Sequence, residues 1–282
     1  MQKGRLIVAR KSVSKFRLGA ITIILSGTIL GTADLNAQGV NSSGGNLWTG
    51  FYIGLNAGRT WKKESTSLAV VNDSPNYYFI AADIPGVNAS GTTILDDNGF
   101  SGGAQFGYNH QAGSAVWSVE SDFDYLGLNQ FYGGPFNYTT VSAPYQLRTS
   151  DASRWLLGVR PRLGWTVDRW MIYGTGGLAI SHSRFQQDFS EDVFTPIPEQ
   201  IVSPRTQAGW TAGAGLEGFL GDHWSAKGEY LFSRFGGTLE SGQLSGGNGF
   251  SPAAGFVDGA TFNNTVSSSK IHAVRVGVNF HF

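Results

Sequence analysis

Three carboxylates, Glu120, Asp122 and Asp124, stand at alternate positions of the stretch AVWSVESDFDY. On an extended backbone alternate side chains share a face, and carboxylates crowded on one face can raise one another's pKa and divide into acid and base. Arg154, Arg160 and Arg162 repeat at even spacing in RWLLGVRPRLGWTV, while Glu217, Lys227, Glu229 and Arg275 recur at like positions of later stretches. With cations available on the same face, the expectation is a neutralising ion network rather than an acid–base site. In a hairpin centred on Asp222, Glu217 lies across from Lys227, a cross-strand pair worth roughly 0.2 to 1 kcal/mol. The histidines His110, His182, His223, His272 and His281 show no HExxH or other metal spacing. His182 between Ser181 and Ser183 is the one candidate for a hydrolase constellation, and no Gly-x-Ser-x-Gly elbow accompanies it. SGGNG and TGGLA are glycine-rich but do not join a strand to a helix as a phosphate loop must. No catalytic residue and no metal site are therefore expected.

Eight alternating segments would have to position these charges: 48–61, 99–110, 115–125, 154–167, 170–183, 206–220, 224–235 and 270–282. Each alternates apolar and polar or small residues with period two, which identifies strands. In WTGFYIGLNAGRTW the apolar face is Phe51, Ile53, Leu55, Ala57 and Trp61; in the last segment it is Val274, Val276, Val278, Phe280 and Phe282. Every ionic residue named above falls on the opposite face. A lipid-facing Arg or Lys at the bilayer midplane would cost about 2 to 4 kcal/mol, so the charged face points inward and the apolar face meets oil.

Connections support the same architecture. Those at 111–114, 168–169 and 221–223 are tight, whereas 62–98, 126–153, 184–205 and 236–269 are long and rich in Gly, Ser, Asn and Pro. Short turns at one end and long loops at the other mark an outer-membrane barrel with its turns in the periplasm. The fold class expected is all-β: an eight-stranded antiparallel transmembrane up-and-down β-barrel with four long extracellular loops. Tryptophan gives a second marker, because Trp and Tyr prefer membrane interfaces. Trp155 and Trp165 share a face ten residues apart, roughly 25 Å along the membrane normal for a tilted strand. Trp117, Trp165, Trp170 and Trp224 then form a belt beside the short turns, and Trp61, Trp155 and Trp210 mark the outer rim. Pro161 removes a ladder hydrogen bond inside its strand, so a bulge or local break is expected there.

The N-terminus carries Lys3, Arg5, Arg10, Lys11, Lys15 and Arg17 ahead of the apolar run LGAITIILSGTIL and small residues, the pattern of a secretory signal peptide. Cleavage is expected after Ala37 or Ala33, giving a signal peptide over 1–37, a short periplasmic segment over 38–47 and a barrel over 48–282. Taking those six basic residues from 20, and Asp34 from the 20 acids, leaves 14 against 19, a net of minus five. That balance argues against nucleic acid as a partner. The chain has no Cys and only 14% charged residues, so neither disulfides nor thiolate chemistry can operate.

The segments WTGFYIGLNAG, VRPRLGWTVDRWMIYGTGGLAISHS, GWTAGAGLEGFLGDHWSAKGEYLF and VRVGVNFHF resemble the alphaproteobacterial family of small, porin-like outer-membrane surface antigens. Pro161, Gly218 and Gly228 depart from its usual pattern. The resemblance implies an outer-membrane location, contact with membrane lipid and lipopolysaccharide, and a nonenzymatic surface role in envelope integrity. Alternatives it carries are a porin-like small-solute channel, a hemin-binding receptor or an adhesin for host surface molecules. For heme, the loops supply no His, leaving Tyr77, Tyr78, Tyr132, Tyr138 and Tyr145 as ligating or stacking residues. The terminal VNFHF, with Val278, Phe280 and Phe282 on one face, also resembles the signal read by the barrel assembly machinery. The oligomeric state is left open.

Overall fold

Alternation does produce strands; those at 224–235 and 270–281 match the segments read from the sequence, and the other six run longer. The computed structural model describes residues 7–8, 47–73, 78–141, 143–191, 195–244 and 259–282. The expected signal peptide apart from Ile7 and Val8, and the 38–47 segment apart from Leu47, lie outside the described residues. In chain order the elements are β1 (Ile7–Val8), β2 (Gly50–Asn72), α1 (Ile84–Gly91), β3 (Thr93–Ala112), β4 (Ala115–Asn137) and β5 (Pro144–Val167). They continue with β6 (Trp170–Glu191), β7 (Thr195–Phe219), β8 (Trp224–Phe235), β9 (Thr238–Leu244), β10 (Ala260–Val266) and β11 (Lys270–His281).

Strands β2 to β8 pair antiparallel with their neighbours in sequence, β8 pairs β11, and β11 returns to β2. That last seam, with Ile53 opposite Phe280 and Trp61 opposite His272, closes an eight-stranded ring. The turns at one end are tight: Gly113 (φ 62°) and Asp168 (φ 53°) take the left-handed conformation that two-residue hairpins need. Short β1 lies parallel to β7, Ile7 opposite Ile201.

The long loops expected at the other end are mostly wall. β2 continues to Asn72, β4 to Asn137 and β6 to Glu191, and the connection after β8 contains the β9–β10 hairpin, which pairs β2 through Phe262 opposite Val70. A strand of 23 residues spans roughly 55 to 60 Å along the normal, against an apolar band about 25 Å tall. The upper halves of the long strands therefore stand in water, and there the hydrophobic phase inverts. On β2, Phe51, Ile53 and Leu55 face outward, but higher up Leu68 and Val70 face inward, while Ser65 and Ser67 face out.

Inside, polar and apolar layers alternate from the short-turn end upward. Trp48, Val116, Met171, Tyr173 and Phe219 cluster at the bottom. Above the membrane-level charges sit Leu126, Leu128, Leu156, Ala179, Phe235 and Ile271. A larger cluster, including Phe79, Val87, Leu147, Phe189, Ile201 and Phe262, fills the top beneath α1. Eight strands leave an interior just wide enough for side chains, and here side chains occupy it.

Pro161 interrupts only one ladder. It stays opposite Val119 on β4, while on the β6 side pairing skips from Val159–Leu178 to Arg162–Thr175 with no change of register. The result is a local break rather than a bulge, on the lipid-facing side of β5.

Candidate functional site

Five strands, β4, β5, β7, β8 and β11, bring the charges together in the lumen. Glu120 of β4 accepts from Arg160 Nη2 at 2.8 Å, Arg162 Nη1 at 2.8 Å and Lys227 Nζ at 2.9 Å, and from the Tyr52 hydroxyl at 2.8 Å. Asp122 and Asp124 share Arg275, at 2.6 and 2.8 Å, and Arg160 reaches Asp122 at 3.2 Å. Glu229 pairs with Arg275 at 2.7 Å and accepts from Tyr173 at 3.1 Å. Glu217 takes Arg162 at 2.7 Å, Ser225 at 2.6 Å and the Asn279 amide at 2.6 Å. Arg162 also lies 3.9 Å from the centre of the Tyr173 ring, a cation–π contact.

Two expectations need correction. Arg154 is not in this network. Ser153 pairs Ser183 while Trp155 pairs His182, so Arg154 is the extra residue of a β-bulge and is exposed on the outside; a bulge re-aims its side chain off the strict alternation. Glu217 and Lys227 are in register, as the hairpin geometry required. Yet Lys227 spans the lumen to Glu120 instead, because in a narrow barrel a long side chain reaches the opposite wall and Glu120 sits amid the other cations.

A second ionic layer, not anticipated, lies higher. Lys62 pairs Asp151 at 2.5 Å and Glu64 at 3.2 Å, and Arg205 contacts Asp151, Glu64 and Glu240. Its signal was in the sequence: Lys62 and Glu64 continue the inward parity of Tyr52 to Thr60 on β2. Between the two layers a cavity of about 20 Å³ lies against Thr60, Asp124, Leu156 and Arg275, room for about one water molecule.

This arrangement holds charge and does not expose it. Glu120, Arg160, Arg162 and Glu217 are at most 1% exposed, and apolar clusters lie below and above them. A general base must reach a substrate proton within hydrogen-bond distance; these carboxylates already receive guanidinium and ammonium groups. Of the loop tyrosines, Tyr138 donates to Glu191 and Tyr145 to Ser90 at 3.1 Å, while Tyr78 packs on Phe79 and Tyr132 is exposed. Burial and the Glu191 carboxylate push the Tyr138 phenol well above its usual pKa. Tyr77 lies outside the described residues.

On the outside, Trp117, Trp165, Trp170 and Trp224 are exposed near the tight turns, with Trp61 and Trp210 exposed at the upper level. Trp155 is half-buried and stacks on His182, ring centres 5.7 Å apart. At the chain end Val278 and Phe282 face outward, and Phe280 sits edge-on to Trp224 and Phe282. Phe282 donates its amide to Phe51 O at 3.0 Å, extending the closing seam.

Comparison with known proteins agrees with this geometry. The outer membrane protein beta-barrel domain family matches residues 29–282. The 31 kDa outer-membrane immunogenic protein of Brucella melitensis is 30% identical over 239 residues, covering 83% of this chain and 84% of that protein. A 22 kDa outer membrane protein of Rhizobium leguminosarum is 31% identical over 152 residues, covering 53% and 60%. Among solved structures, the outer membrane protein OprG of Pseudomonas aeruginosa aligns over 83% of this chain and 97% of its own at 12% identity, with a TM-score of 0.41. The chain belongs to the outer membrane protein beta-barrel domain family, alongside alphaproteobacterial outer-membrane antigens, and is a surface β-barrel protein of the bacterial outer membrane.

Proposed function

We propose that this barrel is a sealed, nonenzymatic element of the outer membrane that supports envelope integrity and carries a rigid, water-exposed crown for contact with the surroundings. The observation behind the reading is the filled lumen: two ionic layers separated and flanked by apolar side chains, with Arg160 fully buried. Diffusion of solutes would need a continuous aqueous path through that packing. The test is single-channel conductance of the refolded chain 38–282 beside an Arg160→Ala, Arg162→Ala variant. A silent wild type is expected; discrete conductance steps from it would restore the channel reading.

Biogenesis completes the proposal. Residues 1–37 act as the signal peptide and are removed, so the short β1 pairing on β7 is no part of the mature barrel, and Val278, Phe280 and Phe282 serve as the assembly signal as well as the last strand. Phe282→Ala is expected to lower the amount assembled in cells several-fold while leaving refolding in detergent unchanged. Equal loss in both settings would reduce Phe282 to a packing residue.

A further inference from the structure

A row of basic side chains on the outer wall has no part in the lumen. Lys270 of β11 is in register with Lys63 of β2 on one side and Arg234 of β8 on the other. All three are exposed, and none forms an ion pair among the described residues, although Asp96 stands outward opposite Lys63. The row borders a surface cavity of about 210 Å³ whose lining includes Lys63, Ser65, Ile94, Ser267, Ser268 and Lys270. Glu64 also lines it, but its carboxylate turns inward to Lys62.

The cavity wall is held in place. Ser65 and Ser267 are joined through amide, carbonyl and hydroxyl groups at 2.8 to 2.9 Å. Arg234 Nη2 donates to Ser268 Oγ at 3.3 Å, and the Phe235 amide to Ser269 O at 3.0 Å. Two ammonium groups and serine hydroxyls line one pocket, and the Arg234 guanidinium joins it through Ser268; such donors are the chemistry of phosphate recognition.

Its height selects the source of that phosphate. Lys63 is two residues beyond Trp61, and Arg234 is in register with Trp210. The row therefore runs from the upper aromatic level, at Arg234, to about 5 Å above it, at Lys63, where headgroups of the outer leaflet begin. Below it the wall is apolar except for Arg59, which stands between Phe100 and Val274 and donates to Asn98; the exposed Phe100 and Val274 side chains can take acyl chains. Arg154, re-aimed outward by its bulge, and Arg184 stand at a similar level on β5 and β6, so cations recur around the barrel at the headgroup plane.

We propose that Lys63, Arg234 and Lys270, with Ser65, Ser267 and Ser268, bind a phosphate group of the phosphorylated glycolipid in the outer leaflet. The proposal rests on the outer-membrane orientation described above. It gives the barrel a fixed lipid partner on one sector of its wall.

The test uses the refolded chain in uncharged detergent, titrated with lipopolysaccharide, with dephosphorylated lipopolysaccharide and with inorganic phosphate. Bound lipid is read by native mass spectrometry and protection by the temperature at which heat-modified gel mobility changes. Wild type is expected to retain phosphorylated lipopolysaccharide, and the Lys63→Gln, Arg234→Gln, Lys270→Gln variant to bind it about a hundredfold more weakly, given what each basic residue contributes at a membrane surface. Arg148→Gln, which removes an exposed arginine higher up over Phe131, is expected to bind as wild type. Where the triple variant does not refold, Lys270→Gln alone is expected to weaken binding about fivefold. Equal binding by the variants, equal binding of dephosphorylated lipid, or the same loss from Arg148→Gln would overturn the site. Equal protection by inorganic phosphate would overturn the lipid as its source. Failure of the wild-type chain to show heat-modified mobility would instead strike the membrane-barrel reading itself.

Discussion

At the scale of single residues, the lumen network makes a sharp forecast. Arg162 faces Glu120, Glu217 and the Tyr173 ring, so Arg162→Met leaves buried Glu217 without its guanidinium and takes one of several cations from Glu120. Breaking one side of a buried pair typically costs about 3 to 5 kcal/mol, to be read from urea unfolding in detergent. Adding Glu217→Gln should recover part of that loss, and no recovery would mean that packing of the guanidinium matters more than its charge. Asp83 offers a titration in the water-exposed crown. Burial raises its carboxyl pKa, but bonds from the hydroxyls and amides of Thr139 and Thr140 outweigh that and hold it below the usual value. With the folded pKa depressed, the stabilisation is complete above the unfolded value, near 4, and is lost as pH falls through the folded one. Protection of the α1 amides, measured as exchange relative to the intrinsic rate at each pH, should fall on such acidification, and Asp83→Asn should lower that protection at neutral pH and abolish its pH dependence.

At the scale of elements, inward glycines make room for inward aromatics. A Cβ on Gly215 would lie 2.4 Å from the Tyr173 hydroxyl, and one on Gly107 2.5 Å from that of Tyr52. Gly215→Val should push Tyr173 off Glu229 and cost about 1 to 3 kcal/mol by overpacking. Gly228→Val, where nothing lies within 4 Å, should leave the midpoint of unfolding unchanged; a loss matching that of Gly215→Val would contradict this account. The membrane halves of the eight strands were legible in the sequence because lipid and lumen impose opposite chemistries on alternate residues, as Phe51, Ile53 and Leu55 against Tyr52 and Asn56 illustrate. Their upper halves were not, because in water the rule changes sign. Leu68, Val70, Tyr145 and Leu147 are apolar and inward, and a search for an outward apolar face passes over them. Arg154 was misread for a related reason: strict parity counts residues, and a bulge adds one without any mark as plain as Gly or Pro. The partner of Lys227 was beyond the reach of local register, since it lies on a strand across the barrel.

At the scale of the whole molecule, the protein joins two solvent regimes in one continuous sheet. Below, stability comes from fitting an apolar exterior to lipid around a polar core; above, from an ordinary apolar core under a polar surface. Phe262 belongs to the upper core, fully buried against Phe79 and Phe189. Phe262→Ala should destabilise the crown by about 3 to 5 kcal/mol. Protease cleavage should appear above Trp61 while the membrane-embedded half keeps its heat-modified mobility, and simultaneous loss of both would show the halves to be one cooperative unit. The seam between β2 and β11 has a further consequence, for the order of events in time. It unites the first and last strands of the ring, so the longest loop closure of the chain must precede its final hydrogen bonds, which makes such pairing intrinsically slow. Until Phe280 finds Ile53, two strand edges stay unpaired and open to any extended chain nearby. An exported chain of this design thus depends on being held apart from its neighbours until its last residues arrive, and the same seam that makes the finished barrel durable makes its unfinished form the vulnerable one.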